Sequence, residues 1–176
     1  MRSAPAIPAR IAWAVAQLPL APDDKVLEIG PGSGAAAELI CSRLPDGHYL
    51  GVDRSARAVR ASAERNAEHL ARGRAEFRQV ALADLQPEAL PGFDHVLAIN
   101  VNLFWTGPAR RELELIRRLL ADRGRLHLSF DSPRPDGVDR LSRALAEHLS
   151  AADYRFTTST ATFGSSRLLW LSARPI

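Results

Sequence analysis

A chain of 176 residues that is 46% hydrophobic and carries a net charge of +3 is long enough for one domain, 1–176, with an ordinary core. No apolar run approaches the ~20 residues that a bilayer-spanning helix needs, and Met1-Arg2-Ser3-Ala4-Pro5 lacks the apolar centre of a signal peptide. The single cysteine, Cys41, cannot close an internal disulfide, so a cytoplasmic protein is expected. The first element in chain order is a helix over Ala6 to Leu18, within an N-terminal segment 1–22. Ile7, Ile11, Trp13, Val15 and Leu18 supply its apolar positions.

The next stretch is the most informative: Val26-Leu27-Glu28-Ile29-Gly30-Pro31-Gly32-Ser33-Gly34, followed by Ala35, Ala36, Ala37, Glu38, Leu39 and Ile40. A buried strand turns sharply into a helix, and glycines stand where backbone must approach a ligand or adopt positive φ. Such a turn reads as a nucleotide-binding site. Gly30, Gly32 and Ala35 also satisfy a relaxed dinucleotide fingerprint, so glycine spacing alone does not choose the nucleotide. Glu28, two residues before Gly30, and Gly34 at the shorter spacing do. Glu-x-Gly-x-Gly-x-Gly, with Pro31 and Ser33 between, resembles the first motif of class I S-adenosylmethionine-dependent methyltransferases. The resemblance implies a turn that wraps the methionine and ribose of S-adenosyl-L-methionine, whose product is S-adenosyl-L-homocysteine. It implicates Glu28, Gly30, Pro31, Gly32 and Gly34.

Gly47 to Asp53 reads as a second strand with an acid at its end, where a carboxylate can accept from both ribose hydroxyls. Arg54 beside it is a further cofactor-binding candidate, and Ser55 is an N-cap for a helix carrying Ala58, Val59, Ala61, Ala63 and Leu70. Phe77 and Val80 mark a third strand, after which Asp84 lies between Ala83 and Leu85. In the family an acid here accepts from the adenine amino group while its neighbours pack on the ring. Asp84 as a cap before Pro87 is the plainer alternative. Val96 to Ile99 is a strand buried on both faces, and Asn100 falls at its end, where the resemblance implies a contact with the cofactor. The resemblance puts Asn102, Phe104 and Trp105 on the acceptor side, without the Asn-Pro-Pro-aromatic motif of amino-methylating enzymes. Core packing of Phe104 or Trp105 is the competing reading.

Leu113, Leu115, Ile116, Leu119 and Leu120 define an amphipathic helix over Ala109 to Ala121, with Gly124 as its C-cap or turn. Leu126, Leu128 and Phe130 alternate on a fifth strand that ends beside Asp131, a candidate for orienting the acceptor. Ser132 to Gly137 is a marked loop, Asp136 to Ala151 a helix, and Tyr154 to Thr162 with Ser166 to Ala173 a hairpin. The expected fold is α/β: a Rossmann-like α/β/α sandwich whose mostly parallel seven-stranded sheet ends in an antiparallel hairpin.

Arg54, Arg57, Arg60 and Arg65, and Arg110, Arg111, Arg117 and Arg118, spread around helix faces without interleaved aromatics. That pattern argues against nucleic acid as partner. His48, His69, His95, His127 and His148 stand away from the C-terminal strand ends and read as structural. No catalytic residue and no metal site is nominated. The reading is transfer of a methyl group to a small-molecule acceptor, mainly by proximity and orientation, in a monomer or homodimer. The N-terminal helix or another subunit would cover the site. RNA or protein methylation, and cofactor binding without methylation, are the alternatives.

Overall fold

The structure, a computed structural model, describes residues 6–134 and 136–176. Part of the 1–22 segment and Pro135 of the Ser132–Gly137 loop lie outside them. The elements are α1 (Ala9–Ala16), β1 (Lys25–Ile29), α2 (Ala35–Cys41), β2 (His48–Asp53), α3 (Ala56–Arg65), α4 (Ala67–Ala71), β3 (Ala75–Gln79), β4 (Phe93–Ile99), α5 (Arg110–Leu119), β5 (Leu120–Ser132), α6 (Gly137–Ala151), β6 (Tyr154–Phe163) and β7 (Ser166–Pro175).

One seven-stranded sheet runs in the order β3-β2-β1-β4-β5-β7-β6. β1 to β5 pair in parallel, and β7 pairs antiparallel with both β5 and β6. Its two faces are covered because both are apolar. Leu27, Val96, Leu126, Leu128 and Leu171 pack with Leu113 and Ile116 of α5 and Leu145 and Leu149 of α6. Val26, Tyr49, Leu97 and Trp170 pack with Ala14, Val15, Ala37 and Ile40 of α1 and α2. From β1 the chain moves outward through β2 to β3, then returns to β4 on the other side. The reversal opens a crevice at the C-terminal ends of β1 and β4, where open α/β sheets bind ligands.

Two local expectations are corrected. The helix expected through Leu70 breaks at Asn66, which is buried and donates through Nδ2 to Ser62 O at 2.9 Å and Gly34 O at 3.0 Å. An amide committed to two carbonyls fixes its backbone, and the helix restarts as α4. Gly124 does not cap α5, which ends at Leu119 and runs directly into β5. Phe93 pairs with Leu120 and His95 with Arg125, so residues 121–124 bulge from the ladder. A Cβ at Gly124 would stand 2.4 Å from Phe93 O, so only glycine allows the strand to rejoin β4.

A polar column crosses the interior. His95 Nε2 is 3.1 Å from Asp24 Oδ2, His95 Nδ1 is 3.0 Å from His127 Nε2, and His127 stacks on Trp170 at 5.1 Å. Asp24 accepts, so His95 donates through Nε2 and accepts at Nδ1. His127 must then donate through Nε2, which leaves its buried Nδ1 as a bare lone pair.

Burial, and then the nearby His95 and Arg125, push the His127 pKa down from 6.5 to about 3. The folded state keeps His127 neutral while the unfolded chain takes up a proton below pH 6.5. Stability contributed there is complete above pH 6.5 and lost as pH falls toward 3, on the order of 3–5 kcal/mol at the limit. His127→Leu is expected to reduce that acid dependence, as read from denaturant midpoints between pH 3 and 7.

Candidate active site

The site is built on the turn joining β1 to α2. Gly30, Gly32 and Gly34 have φ of +72°, +57° and +74°, a region that side chains with a Cβ rarely enter. The turn is braced from α3. Ser62 Oγ donates to Gly32 O at 3.0 Å and Asn66 Nδ2 to Gly34 O, while Arg65 Nε pairs with Glu38 of α2 at 2.6 Å. The sequence reading missed these braces. Their one trace was a polar Ser62 and Asn66 on an otherwise alanine-rich face.

A cavity of about 620 Å³ opens beside the turn. It is lined by Gly30, Asp53, Arg54, Ala83 and Asn102, together with Ile29, Val52, Leu82, Val101, Leu103, Thr106 and Glu112. Five of the expected cofactor or acceptor residues therefore meet at one cavity. Asp53 Oδ1 accepts from Ser55 N at 2.8 Å. Its second oxygen has no hydrogen-bond partner among the described residues, which leaves it available to hydroxyl donors. Glu112, Thr106 and Leu103 were not singled out from the sequence.

Other expected residues sit elsewhere. Asp84 is exposed on a single 3-10 turn, Leu82–Asp84, outside the cavity lining, and Leu85 is buried in the core. Pro31 is buried, Gly32 is exposed, and Gly34 is buried against α3. Phe104 is 1% exposed and packs in the core, so its ring faces no acceptor, whereas Trp105 is 39% exposed.

Glu28 is 2% exposed and accepts from Tyr49 Oη at 2.5 Å beneath the turn. Burial raises its pKa from 4.5 to about 7, opposed by the Tyr49 hydrogen bond. The same burial, with Glu28 nearby, drives Tyr49 well upward and Cys41 to about 12.

The ends of β4 and β5 are clasped together. Asn100, at φ +56°, donates through Nδ2 to Asp131 Oδ1, and its Oδ1 accepts from Asp131 N at 3.0 Å. Arg10 of α1 stands 3.7 Å from Asp131, and Trp13 meets Phe163 edge-on at 6.4 Å between ring centres. These contacts place α1 beside Asp131 of β5 and Phe163 of β6.

The layered sheet with its crevice at a braced glycine turn defines a nucleotide-type cofactor fold. The model of the methyltransferase domain family matches residues 27–126. A trans-aconitate 2-methyltransferase of Methylobacterium nodulans is 30% identical over 153 residues, 87% of this chain and 54% of that protein. The chain spans about half the length of the curated relatives it matches. Among solved structures, precorrin-6y C5,15-methyltransferase of Geobacter metallireducens GS-15 superposes with a TM-score of 0.70 at 19% identity, covering 94% of this chain and 86% of that one. The [4+2]-cyclase SpnF superposes at 0.74 and 17% identity, covering 94% and 80%. The chain belongs to the class I S-adenosylmethionine-dependent methyltransferase family.

The glycines are not equivalent. A Cβ at Gly34 would stand 2.6 Å from Asn66 Nδ2 and 2.8 Å from Ser62 Cα, whereas one at Gly32 meets nothing within 4 Å. Gly34→Ala should lower both stability and cofactor affinity. Gly32→Ala should cost only its left-handed strain, roughly 1–2 kcal/mol. Melting curves with and without S-adenosyl-L-homocysteine separate the two.

Glu28 gives a second outcome. The unfolded chain releases this proton above pH 4.5 while the fold keeps it to about 7, so stability falls as pH rises through that window. The loss is on the order of 3 kcal/mol. Glu28→Gln should remove this component, so that the variant gains on the wild type from pH 5 to 8 in urea titrations.

Proposed function

We propose that the chain binds S-adenosyl-L-methionine in the 620 Å³ cavity and transfers its methyl group to a small molecule bearing a carboxylate. The carrying observation is Asp53, which offers an unpartnered carboxylate oxygen at a strand end beside the left-handed Gly30. That acceptor fits the hydroxyl donors of a ribose, and Ile29, Val52, Leu82 and Val101 give the apolar walls an adenosyl group needs. When bound, the cofactor supplies an activated methyl and a neutral leaving sulfur.

The residues of the chain hold and orient. Asp53 would accept from the ribose hydroxyls, and Gly30 lets the backbone come close. The Asn100–Asp131 clasp fixes the strand ends over which the acceptor must lie. Arg10 pairs with Asp131 at that edge, and an anionic acceptor would compete with Asp131 for its guanidinium. A carboxylate is already a nucleophile and needs no general base, in keeping with the structural histidines. The trans-aconitate 2-methyltransferases among the relatives support a polycarboxylate as acceptor. Trp105 offers an exposed ring for the apolar part of the acceptor.

A second reading is cofactor binding without methyl transfer, since the fold, at 17% identity, also carries a [4+2]-cyclase. A labelled-methyl assay on trans-aconitate and a panel of carboxylic acids, alcohols and amines separates them. Transfer to a carboxylate is expected. Cofactor binding by calorimetry with no transfer to any small molecule would favour the second reading. Asp53→Ala should weaken S-adenosyl-L-homocysteine binding by about 1–3 kcal/mol while leaving the chain folded. Undiminished affinity would remove Asp53 from the site.

A further inference from the structure

The sheet edge opposite the cofactor cavity carries arginines that neither the fold nor the proposed reaction uses. β5 enters the sheet there, β7 leaves it and β6 begins. Arg155 on β6 stands directly across from Arg174 on β7. One step beyond the Leu126–Ala173 pair, the same register sets Arg125 of β5 across from Arg174. Directly opposed residues share a face of the sheet, with Cβ atoms roughly 4.5–5.5 Å apart. Three arginines therefore form a row across three adjacent strands. Arg123, from the β5 bulge, joins Arg125 and Arg174 in lining a cavity of about 450 Å³.

Like charges placed directly opposite destabilise a sheet. Other arginines of this chain are neutralised locally, as Arg65 is by Glu38, Arg118 by Glu88 and Arg140 by Asp136. Among the described residues Arg123, Arg125, Arg155 and Arg174 form no ion pair. Asp122 lines the same cavity yet pairs with none of them. Arg117, on the cavity wall, is already committed to the carbonyl oxygens of Ala152, Asp153 and Ile176. What remains is a concave site with several unneutralised guanidinium groups, each able to bind an oxyanion through two parallel hydrogen bonds.

The volume exceeds that of a bare ion and falls in the range of small-molecule pockets, roughly 300–1,000 Å³. A concave site of this size suits a compact ligand better than a duplex or a lipid surface. We propose that the cavity between the start of β5 and the end of β7, with Arg123, Arg125 and Arg174, binds a small molecule bearing a phosphate or diphosphate. This site lies apart from the cofactor cavity, and its test does not depend on methyl transfer.

The experiment uses pyrophosphate as probe on the full chain, with S-adenosyl-L-homocysteine present to occupy the cofactor cavity. Ionic strength is held constant and citrate runs as a parallel arm. Saturable binding of pyrophosphate is expected, with a melting temperature raised by about 3 °C or more at saturation. Arg174→Thr should bind at least about tenfold more weakly. Arg60→Thr, the same charge change at an exposed position on α3, should bind as the wild type. Without added anion and at low salt, Arg174→Thr should melt at or above the wild type, because the row of like charges is broken. Pyrophosphate should reverse that order.

An Arg174→Thr protein that melts lower in both conditions, or responds to pyrophosphate as the wild type does, overturns the proposal. So does citrate binding more tightly than pyrophosphate, which would make the ligand a polycarboxylate. Binding of duplex DNA or anionic vesicles without saturable pyrophosphate binding would overturn it in favour of a macromolecular surface.

Discussion

A backbone that bends left-handed three times within five residues is strained and needs bracing, and Gly34 O takes only one bond from its own helix, from Glu38 N at 3.2 Å. In this protein the next helix but one supplies the bracing. Ser62 reaches Gly32 O, and Asn66 reaches Gly34 O. Glu28 beneath and Arg65 alongside tie the turn to β2 and α2. The position of the cofactor cavity follows. With the turn held from behind, and Gly30 N tied to Val52 O of β2, Gly30 and Asp53 face a common space. Pre-organisation of this kind lowers the ordering cost that a ligand would otherwise bear.

The parallel core of the sheet was legible in the sequence because periodicity and strand-end chemistry agreed. Val96 to Ile99 is apolar on both faces, and Val26 to Ile29 is so but for Glu28; such runs belong inside a covered parallel sheet. The acid at Asp53 marked the second strand's end correctly. The glycine turn was legible for the same reason, since three glycines at alternate positions have few other uses.

What the sequence hid was mostly long-range. Asn66 sits mid-helix by pattern, and only the nearness of the glycine turn turns it into a helix break and a brace. Glu112 is one of several charges on α5, and nothing local shows that it borders the cavity. Phe104 and Trp105 are adjacent aromatics that a pattern cannot tell apart, yet one is core and the other half in solvent. Gly124 fits a helix end by composition, but the need is a close approach to Phe93 across the sheet. The Arg125–Arg174 opposition depends on antiparallel register, which single-sequence patterning does not fix.

Cys41 gives the protein a chemical clock. The thiol is fully buried on α2 and held to about 12, so the reactive thiolate is scarce while the helix stays docked. Alkylation must then wait for α2 to lift away from Tyr49 and the sheet. Its rate reads the frequency of that opening without any engineered probe. Because α2 continues straight from the glycine turn, a ligand that grips the turn should also slow the clock.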